Sequence, residues 1–218
     1  MPDLNAIVKA YDIRGIVPEQ LDASAAYAFG VAFAKFTNAS SIVVAHDMRP
    51  SGPELLDAFQ RGAIAHGVDV TNVGLASSDL LYYASGKFNM PGAMFTASHN
   101  PAQYNGIKCC LAGARSIGID NGLREMLVTA TAVLDGKEPT RAVKAGTLSH
   151  INLLSEFVDH VVKFIQADTL RPLRIVADTA NGMGGLVVPA VFERLSAFEL
   201  EVMYGELDGT FPNHPADP

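Results

Sequence analysis

The stretch I-V-V-A-H-D-M-R-P-S-G, residues Ile42–Gly52, carries the pattern that decides the fold. Its opening, Ile42–Ala45, is apolar without interruption, as expected for a parallel strand that is covered on both faces. Polar, turn-forming residues follow. Glu54–His66 then has apolar residues at helical spacing and ends at Gly67, a candidate left-handed cap. A strand, a turn and a helix in this order predict one unit of an α/β fold.

The same alternation of strands and helices extends on both sides of this unit. Before it, Asp22 is placed to cap a helix over Ala23–Phe36. After it, the pattern predicts strands at Val68–Val73, Ala93–Thr96 and Gly106–Leu111, and helices at Ser78–Lys87 and Leu123–Leu134. Repetition at this spacing predicts a three-layer α/β/α domain with a mixed, mostly parallel sheet over residues 1–136.

A second, smaller α/β unit is expected after a polar segment, residues 137–149, which is typical of a linker. The pattern over residues 150–218 predicts helices at Ile151–Phe164 and Gly184–Leu195, strands at Arg174–Asp178 and Glu199–Tyr204, and an irregular Gly205–Pro218. Two parallel strands do not form an independently stable sheet. We therefore expect an incomplete second domain that exposes a strand edge and apolar helix faces.

The composition is that of an ordinary globular protein. Its 218 residues include 16 Lys and Arg against 23 Asp and Glu, which gives a net charge of −7. This acidic balance argues against nucleic acid or an anionic membrane as the main partner, although a few local cations suffice for a phosphorylated small molecule. With no apolar run of membrane-spanning length and no signal peptide, we expect a soluble, cytoplasmic protein. The adjacent Cys109 and Cys110 predict buried thiols rather than a disulfide framework.

The segment with the most unusual chemistry is T-A-S-H-N-P, residues Thr96–Pro101. The strand before it brings this loop to the carboxyl edge of the predicted sheet, where ligands bind in such folds. Ser98 beside His99, with Lys108 returning a cation, has the parts of a covalent phosphoryl or acyl carrier. On the residue types alone, a polar turn whose side chains bond their own backbone is the slightly favoured alternative.

Five motifs that follow one another along the chain favour the functional interpretation over the polar turn. They are K-A-Y-D-I-R-G (Lys9–Gly15), H-D-M-R-P-S-G (His46–Gly52), A-M-F-T-A-S-H-N-P-A-Q-Y-N-G-I-K (Ala93–Lys108), D-T-A-N-G-M-G-G (Asp178–Gly185) and F-P-N-H-P-A-D-P (Phe211–Pro218). Together they resemble the α-D-phosphohexomutase family, over essentially the whole chain. The first and third forms are most similar to its bacterial phosphomannomutase/phosphoglucomutase branch. One departure is His46, because the family usually has G-R-D at positions 45–47.

The resemblance implies transfer of a phosphoryl group between the 1- and 6-positions of a hexose phosphate, mannose or glucose. A phosphoserine would donate the group and form a hexose 1,6-bisphosphate, and glucose 1,6-bisphosphate would serve as activator. Carried onto this chain, the phosphoserine is Ser98. Lys108, His99 and Arg14 would donate to the phosphate or move a proton, with Lys108 favoured over His99 for the proton.

Further roles follow from the same resemblance. Tyr11 would flank the sugar, together with Arg14 and Lys108. Asp47, Arg49 and Asn100 would support the loop around Ser98 from behind. Ion pairs at the surface, Arg14 with Asp12 and Arg49 with Asp47, are the alternative for these charged residues, and such pairs contribute little to stability.

The family's Mg²⁺ site is incomplete in this sequence. The resemblance implies three Asp in a D-x-D-x-D-R loop plus a phosphoserine oxygen, but no D-x-D-x-D occurs, and Asp178, Asp208 and Asp217 are isolated. Of the expected ligands only Ser98 remains, through its phosphate. The family's sugar-recognition loop and terminal phosphate-binding domain are also missing. Since one phosphate oxygen cannot replace three carboxylates around Mg²⁺, we expect these 218 residues to be an inactive fragment.

Several alternatives remain open. The chain could be a non-catalytic α/β remnant or a regulatory phosphate-binding module that carries phosphate on Ser98, or a phosphoglucosamine mutase. A serine hydrolase is weaker, because His99 directly beside Ser98 is poorly placed as its general base. Gly182, Gly184 and Gly185 are interpreted as a tight turn rather than a phosphate cradle, and His214 as structural rather than a metal ligand.

Overall fold

A seven-stranded sheet forms the middle layer of the first unit in the computed structural model, which describes residues 2–165 and 169–217. Its strands are β1 (Ile13–Ile16), β2 (Ser41–His46), β3 (Asp69–Leu75), β4 (Gly92–Phe95), β5 (Tyr104–Leu111), β6 (Arg115–Ser116) and β7 (Leu148–His150). They lie in the order β1-β5-β4-β2-β3-β7, and β6 pairs with β5. Strand β5 is antiparallel to all its partners, whereas β4, β2, β3 and β7 pair in parallel. The sheet is therefore mixed and mostly parallel, as predicted.

Helices cover both faces of this sheet, which confirms the predicted three layers. The helices are α1 (Leu4–Ile7), α2 (Ala23–Thr37), α3 (Gly52–Ala65), α4 (Ser78–Phe88), α5 (Arg124–Leu134) and α6 (Leu154–Val162). Helices α1, α2, α3 and α5 pack on the face to which Val44 points, and α4 and α6 on the face to which Val43 and Ala45 point. Alternate residues of one strand thus enter two cores, which explains why Ile42–Ala45 is apolar without interruption.

The predicted helix boundaries depend on local caps that the structure contains. The Asp22 carboxylate accepts a hydrogen bond from the Ala25 amide at 2.8 Å, and Gly67 has a φ of +83°. Helix α3 begins two residues before its predicted start, because Pro53 occupies its first turn, where the ring's fixed φ is compatible with a helix. Strand β1 and helix α1 were not predicted, because only two of the four residues in each are buried, whereas all four residues of β4 are buried and form a continuous apolar run.

Two glycines allow α2 and α3 to cross closely. A Cβ on Gly30 would lie 2.0 Å from the carbonyl oxygen of Phe59, and one on Gly62 would lie 2.4 Å from that of Tyr27. The two helix backbones are therefore in direct contact at the centre of the larger core.

The two cysteines behave as predicted. Both are buried, free thiols. Cys109 belongs to the core beneath α2, whereas the Cys110 Sγ lies 3.5 Å from the Ser85 hydroxyl of α4, so one thiol is on each side of the sheet. Burial raises the pKa of both thiols, which keeps them protonated.

The segment 137–149, predicted as a linker, is attached to the first unit by strand pairing and hydrogen bonds. Its last two residues belong to β7, so the linker interpretation is wrong for Leu148 and Ser149. Strand β7 pairs with β3, and the Asp69 carboxylate accepts hydrogen bonds from the Thr147 amide and hydroxyl, both at 2.7 Å. This strand is short and exposed, so it lacks the apolar run or alternation that identifies a strand in a sequence. The proposed division into domains otherwise stays a prediction.

Glu138 anchors the beginning of this segment. Its carboxylate accepts hydrogen bonds from the Tyr27 hydroxyl at 2.8 Å and from Arg141 Nε at 3.1 Å, and His66 Nε2 lies 3.2 Å away. The Arg141 hydrogen bond is the largest cause that lowers the pKa of Glu138 from 4.5 to about 2, followed by those of Tyr27 and His66.

A lowered pKa means that Glu138 stabilises the fold in its charged form. The stabilisation is present above pH 4.5 and is lost as the pH falls towards 2. We expect Glu138→Gln to lower the free energy of unfolding by roughly 1 kcal/mol near neutral pH, because the carboxylate remains partly solvated. Urea titrations should show this difference shrinking below pH 4.5. The control is Glu19→Gln, an exposed residue in the turn before α2. A difference independent of pH would contradict this role of Glu138.

The second unit contains the two strands that were predicted. Strands β8 (Leu173–Asp178) and β9 (Phe198–Met203) pair in parallel, and α7 (Gly184–Phe192) connects them. Helix α7 is partly buried along its whole length, whereas Phe164 and Val176 are 78% and 55% exposed, so apolar surface is open at these two residues. Helix α6 is shorter than predicted, because the Ile151 amide instead donates to the Asn72 carbonyl and prolongs the pairing of β7. Among the residues that the structure describes, no helix has the length and apolarity to cross a membrane.

Candidate active site

The serine loop, residues 96–104, connects the carboxyl end of β4 to the antiparallel β5. Ser98 is exposed at its apex and has a φ of +52°, a conformation that non-glycine residues rarely adopt. The Ser98 amide donates to the Thr96 hydroxyl, the Asn100 amide to the Ala97 carbonyl and the Tyr104 amide to the Pro101 carbonyl, each at 3.0 Å. The backbone therefore folds as two tight turns that present the serine hydroxyl.

Gly106 fixes the base of the loop. A Cβ at this position would lie 2.3 Å from the carbonyl oxygen of Ile13 and 2.9 Å from that of Thr96. The side chain of the preceding Asn105 donates to the Ser51 hydroxyl at 2.9 Å. The Asn-Gly pair thus allows β1 and the loop to approach each other closely.

The side chain of Arg49 binds the main chain of the serine loop. It lies in the turn after β2, and because β2 and β4 are parallel neighbours, the segments that follow them meet at one edge of the sheet. Its guanidinium donates to four main-chain carbonyls, those of Ser98 (2.9 Å), Asn100 (2.6 Å), Pro101 (2.8 Å) and Tyr104 (2.8 Å). The planar fork of donors on arginine suits this arrangement, which one lysine could not reproduce.

Asp47 is the charge partner of Arg49. Its Oδ2 lies 3.4 Å from Arg49 Nε, and its Oδ1 accepts the Arg49 amide at 3.0 Å. Burial raises the pKa of Asp47, against the opposite effects of the hydrogen bonds from Thr96 and the Arg49 amide. Burial likewise lowers the pKa of Arg49. The pair is buried, so the alternative of a surface ion pair is wrong here.

Arg14 and Asn100 connect the loop to β1. The Arg14 guanidinium donates to the side-chain oxygen of Asn100 and to the Asp12 carboxylate. Arg14 Nε is buried, and no hydrogen-bond partner for it occurs in the ranges 2–165 and 169–217. Arg14 therefore both restrains the loop and brings positive charge beside it.

The remaining predicted residues line two different cavities. Ser98 and His99 line a cavity of about 400 Å³ together with Asp47, the turn 179–184 of the second unit and Phe211. Lys108 and Tyr11 line another of about 670 Å³, where the Tyr11 side chain is largely exposed. Ser98 and His99 are thus brought together, whereas Lys108 and Tyr11 are grouped around a separate opening.

Sequence reasoning did not identify some residues that line these cavities. Ser77–Asp79 line the same cavity as Ser98, and Asn121 lines the same cavity as Lys108. The position of Ser77–Asp79 directly after β3, another parallel strand, was the signal that could have found them. For Asn121 no comparable signal exists, since it lies in an irregular helical turn far from the strands in sequence.

The residues considered as metal ligands do not form a metal site. His214 Nε2 lies 3.2 Å from the Asp178 carboxylate, and the Pro215 carbonyl and Asp178 together raise the pKa of His214. Asp208 accepts hydrogen bonds from the amide and hydroxyl of Thr210. In the described parts of the chain, no three His, Cys, Asp or Glu side chains are grouped to hold a metal.

The glycine-rich turn before α7 packs against the chain that follows β9. A Cβ on Gly185 would lie 2.1 Å from the Gly205 carbonyl oxygen. The Gly182 amide donates to the Thr179 carbonyl at 2.7 Å. This geometry is that of a tight strand-to-helix turn.

Known proteins have sequences similar to that of this chain, and the similarity includes the serine loop. Residues 5–126 match the family profile described as phosphoglucomutase/phosphomannomutase, alpha/beta/alpha domain I. Phosphomannomutase of Escherichia coli is 36% identical over 215 residues, which cover 96% of this chain and 47% of that protein. Phosphoglucomutase of Neisseria meningitidis serogroup A is 37% identical over 216 residues, which cover 97% and 45%. The chain spans about half the length of the curated relatives it matches.

Solved structures share the fold of this chain. A phosphoglucomutase/phosphomannomutase family protein of Burkholderia thailandensis matches with a TM-score of 0.86 at 33% identity, covering 99% of this chain and 47% of that chain. A structure from Thermus thermophilus matches with a TM-score of 0.81 over 95% of this chain and 47% of that chain, and at 18% identity it supports the fold alone. The resemblance seen in the motifs is thereby confirmed.

Proposed function

Because the chain belongs to the phosphoglucomutase/phosphomannomutase family, we propose that Ser98 accepts and returns a phosphoryl group during the interconversion of hexose 1- and 6-phosphates. The relatives named above are a phosphomannomutase and a phosphoglucomutase, so mannose and glucose phosphates are the proposed substrates. The observation that carries the proposal is the serine loop itself, an exposed Ser98 hydroxyl on a backbone that Arg49 fixes at four carbonyls.

Phosphoryl transfer depends mainly on in-line positioning and on neutralising charge, so a rigidly held serine is suited to it. In the proposed step, Ser98 Oγ attacks one phosphorus of a hexose 1,6-bisphosphate. The new Oγ–P bond forms as the bond from phosphorus to the sugar oxygen breaks. The serine proton passes to a nearby base, and the released sugar oxygen takes up a proton from that protonated base to become a hydroxyl.

The groups around the two cavities suggest separate tasks. His99 shares a cavity with Ser98, which favours it over Lys108 as the acceptor of the serine proton. Lys108 and Tyr11 share the other cavity and would contact the sugar or its distal phosphate. Arg14 adds positive charge where the phosphate on Ser98 carries about two negative charges.

The expected Mg²⁺ does not fit the carboxylates of the described residues. Asp178 is engaged with His214, and Asp208 with its own turn. We therefore derive no step through a metal. A second candidate needs only the serine loop: a module that carries phosphate on Ser98 without completing turnover.

The test is the intact mass of the 218-residue chain after incubation with glucose 1,6-bisphosphate. We expect one stable adduct of about 80 Da, the mass of one phosphoryl group, on wild type and none on Ser98→Ala. The matched control is Ser78→Ala, which removes another hydroxyl from the same cavity and should keep the adduct.

The outcomes separate the two candidates. An adduct together with conversion of glucose 1-phosphate to glucose 6-phosphate supports the mutase, and an adduct without conversion supports the carrier module. If wild type forms no adduct, or if Ser98→Ala still forms it, Ser98 is not the acceptor and both candidates are wrong.

A further inference from the structure

We propose that Phe211 is a positioning residue for the serine loop, because its ring covers the Arg49 guanidinium and thereby connects the second unit to the orientation of Ser98. The catalytic consequence rests on the proposed function, whereas the coupling itself can be measured without it. We call residues 205–217, which follow β9, the edge segment.

The contact uses the face of the Arg49 guanidinium, which none of its hydrogen bonds to the serine loop occupies. The edges of its guanidinium point to the loop carbonyls and to Asp47, and the Phe211 ring centroid lies 5.1 Å from the guanidinium carbon, Cζ. Arg49 Nε is buried, and within the residues that the structure describes it has no hydrogen-bond partner. A cation beside an aromatic face is attracted by the ring quadrupole, more strongly where water is excluded. Phe211 therefore favours the buried position of Arg49.

The backbone of the edge segment is shaped to make this contact. Phe211 has a φ of +54°, which is costly for a bulky residue and persists only where the surroundings enforce it. Its amide donates to the Asp208 carbonyl at 3.0 Å. A Cβ on Gly209 would lie 2.6 Å from Arg49 Cα, so the main chain of the edge segment rests directly on that of Arg49.

The edge segment is anchored on both sides of Phe211 by one buried residue, Asn181. The Asn181 side chain donates to the Glu206 carbonyl at 2.9 Å and accepts from the Asn213 side chain at 2.7 Å. Its carbonyl accepts the Asp208 amide at 2.9 Å. Asn181 lies in the turn 179–184, which also lines the Ser98 cavity. Contacts thus run continuously from this turn through Phe211 and Arg49 to the serine loop.

The experiment measures amide hydrogen exchange by NMR in the full chain. Phe211→Leu keeps an apolar side chain but removes the aromatic face, whereas Phe211→Tyr keeps the face. We expect Phe211→Leu to accelerate exchange of the Asn100 and Tyr104 amides by about tenfold, and Phe211→Tyr to restore the wild-type rate. Amides of β4 and β8, as internal references, should not change.

A second variant changes the contact without changing the ring. Gly209→Ala wedges a methyl group against Arg49 Cα, which should lift Phe211 and accelerate exchange of the same two amides. Its matched control is Gly86→Ala, where a Cβ meets no atom within 4 Å and exchange in the serine loop should stay at the wild-type rate.

The possible results separate positioning from a general structural effect. Unchanged loop exchange in Phe211→Leu, equal acceleration in Phe211→Leu and Phe211→Tyr, or acceleration that extends to β8 each overturn the proposal. If loop exchange responds as expected but wild type forms no phosphate adduct, the coupling stands and only the proposed function fails. If both hold, adduct formation should slow in Phe211→Leu and recover in Phe211→Tyr.

Discussion

Replacement of Arg49 by alanine is expected to lower the free energy of unfolding by about 3–5 kcal/mol, the loss typical when one partner of a buried ion pair is removed. The Asp47 carboxylate would stay buried without its cation, and four loop carbonyls would lose their donor. Unpaired buried polar groups bear the full cost of desolvation. The substitution should also abolish the phosphate adduct on Ser98, because the loop would lose its fixed shape.

The matched control for this prediction is Arg61→Ala. Arg61 pairs with Asp57 at 2.9 Å, but both side chains are about 60% exposed, so its loss should cost less than about 1 kcal/mol. Lysine at position 49 keeps the charge but not the fork of donors, and it should fall between wild type and alanine. Urea unfolding of the four proteins measures these differences. Equal losses in Arg49→Ala and Arg61→Ala would show that the buried pair does not hold the loop.

Alanine in place of Gly30 is expected to destabilise the fold by about 3 kcal/mol, the upper range for overpacking a core. The added Cβ would lie 2.0 Å from the Phe59 carbonyl oxygen, a backbone atom that cannot rotate away. Helices α2 and α3 would have to separate, which opens the core around Phe33 and Phe59.

Gly86→Ala is the natural comparison for Gly30→Ala. Both glycines lie within helices, but Gly86 faces open space, so alanine there should stabilise α4 by up to about 1 kcal/mol. Thermal and urea unfolding measure both variants. If Gly30→Ala unfolds like wild type, the close crossing of α2 and α3 is not needed for stability.

The parts of the fold that could be predicted from the sequence are those with a buried face of sufficient length. Ile42–Ala45 is apolar because it contributes to two cores, and the cap at Asp22 has a local chemical cause that lies within a few residues of it. Strand β7 could not be predicted, because its three exposed residues are held by backbone pairing with β3 rather than by side-chain burial. Strand β2, which has four consecutive buried residues, could be predicted, whereas the shorter β1, in which buried and half-buried residues alternate, could not.

In the candidate site, too, features within one contiguous motif could be predicted, whereas contacts between distant segments could not. The motif around Ser98 is contiguous, so the sequence could indicate a tight loop with an exposed hydroxyl. The resemblance suggested that Arg49 supports this loop, but not that it binds main-chain oxygens, since this depends on how parallel strands bring separate turns together. The contact of Phe211 with Arg49 joins residues far apart in the chain, and no local pattern of side chains signals it.

The mode of contact at Arg49 separates the shape of the serine loop from its chemistry. All four of its loop acceptors are main-chain oxygens, so the interaction places no requirement on the side chains of Ser98, Pro101 or Tyr104. A protein engineer could therefore exchange the nucleophile at position 98 for another that accepts the φ of +52°, for instance cysteine or aspartate, while the Arg49 contacts continue to hold the backbone. The serine loop is therefore a backbone scaffold that can present different reactive side chains at position 98.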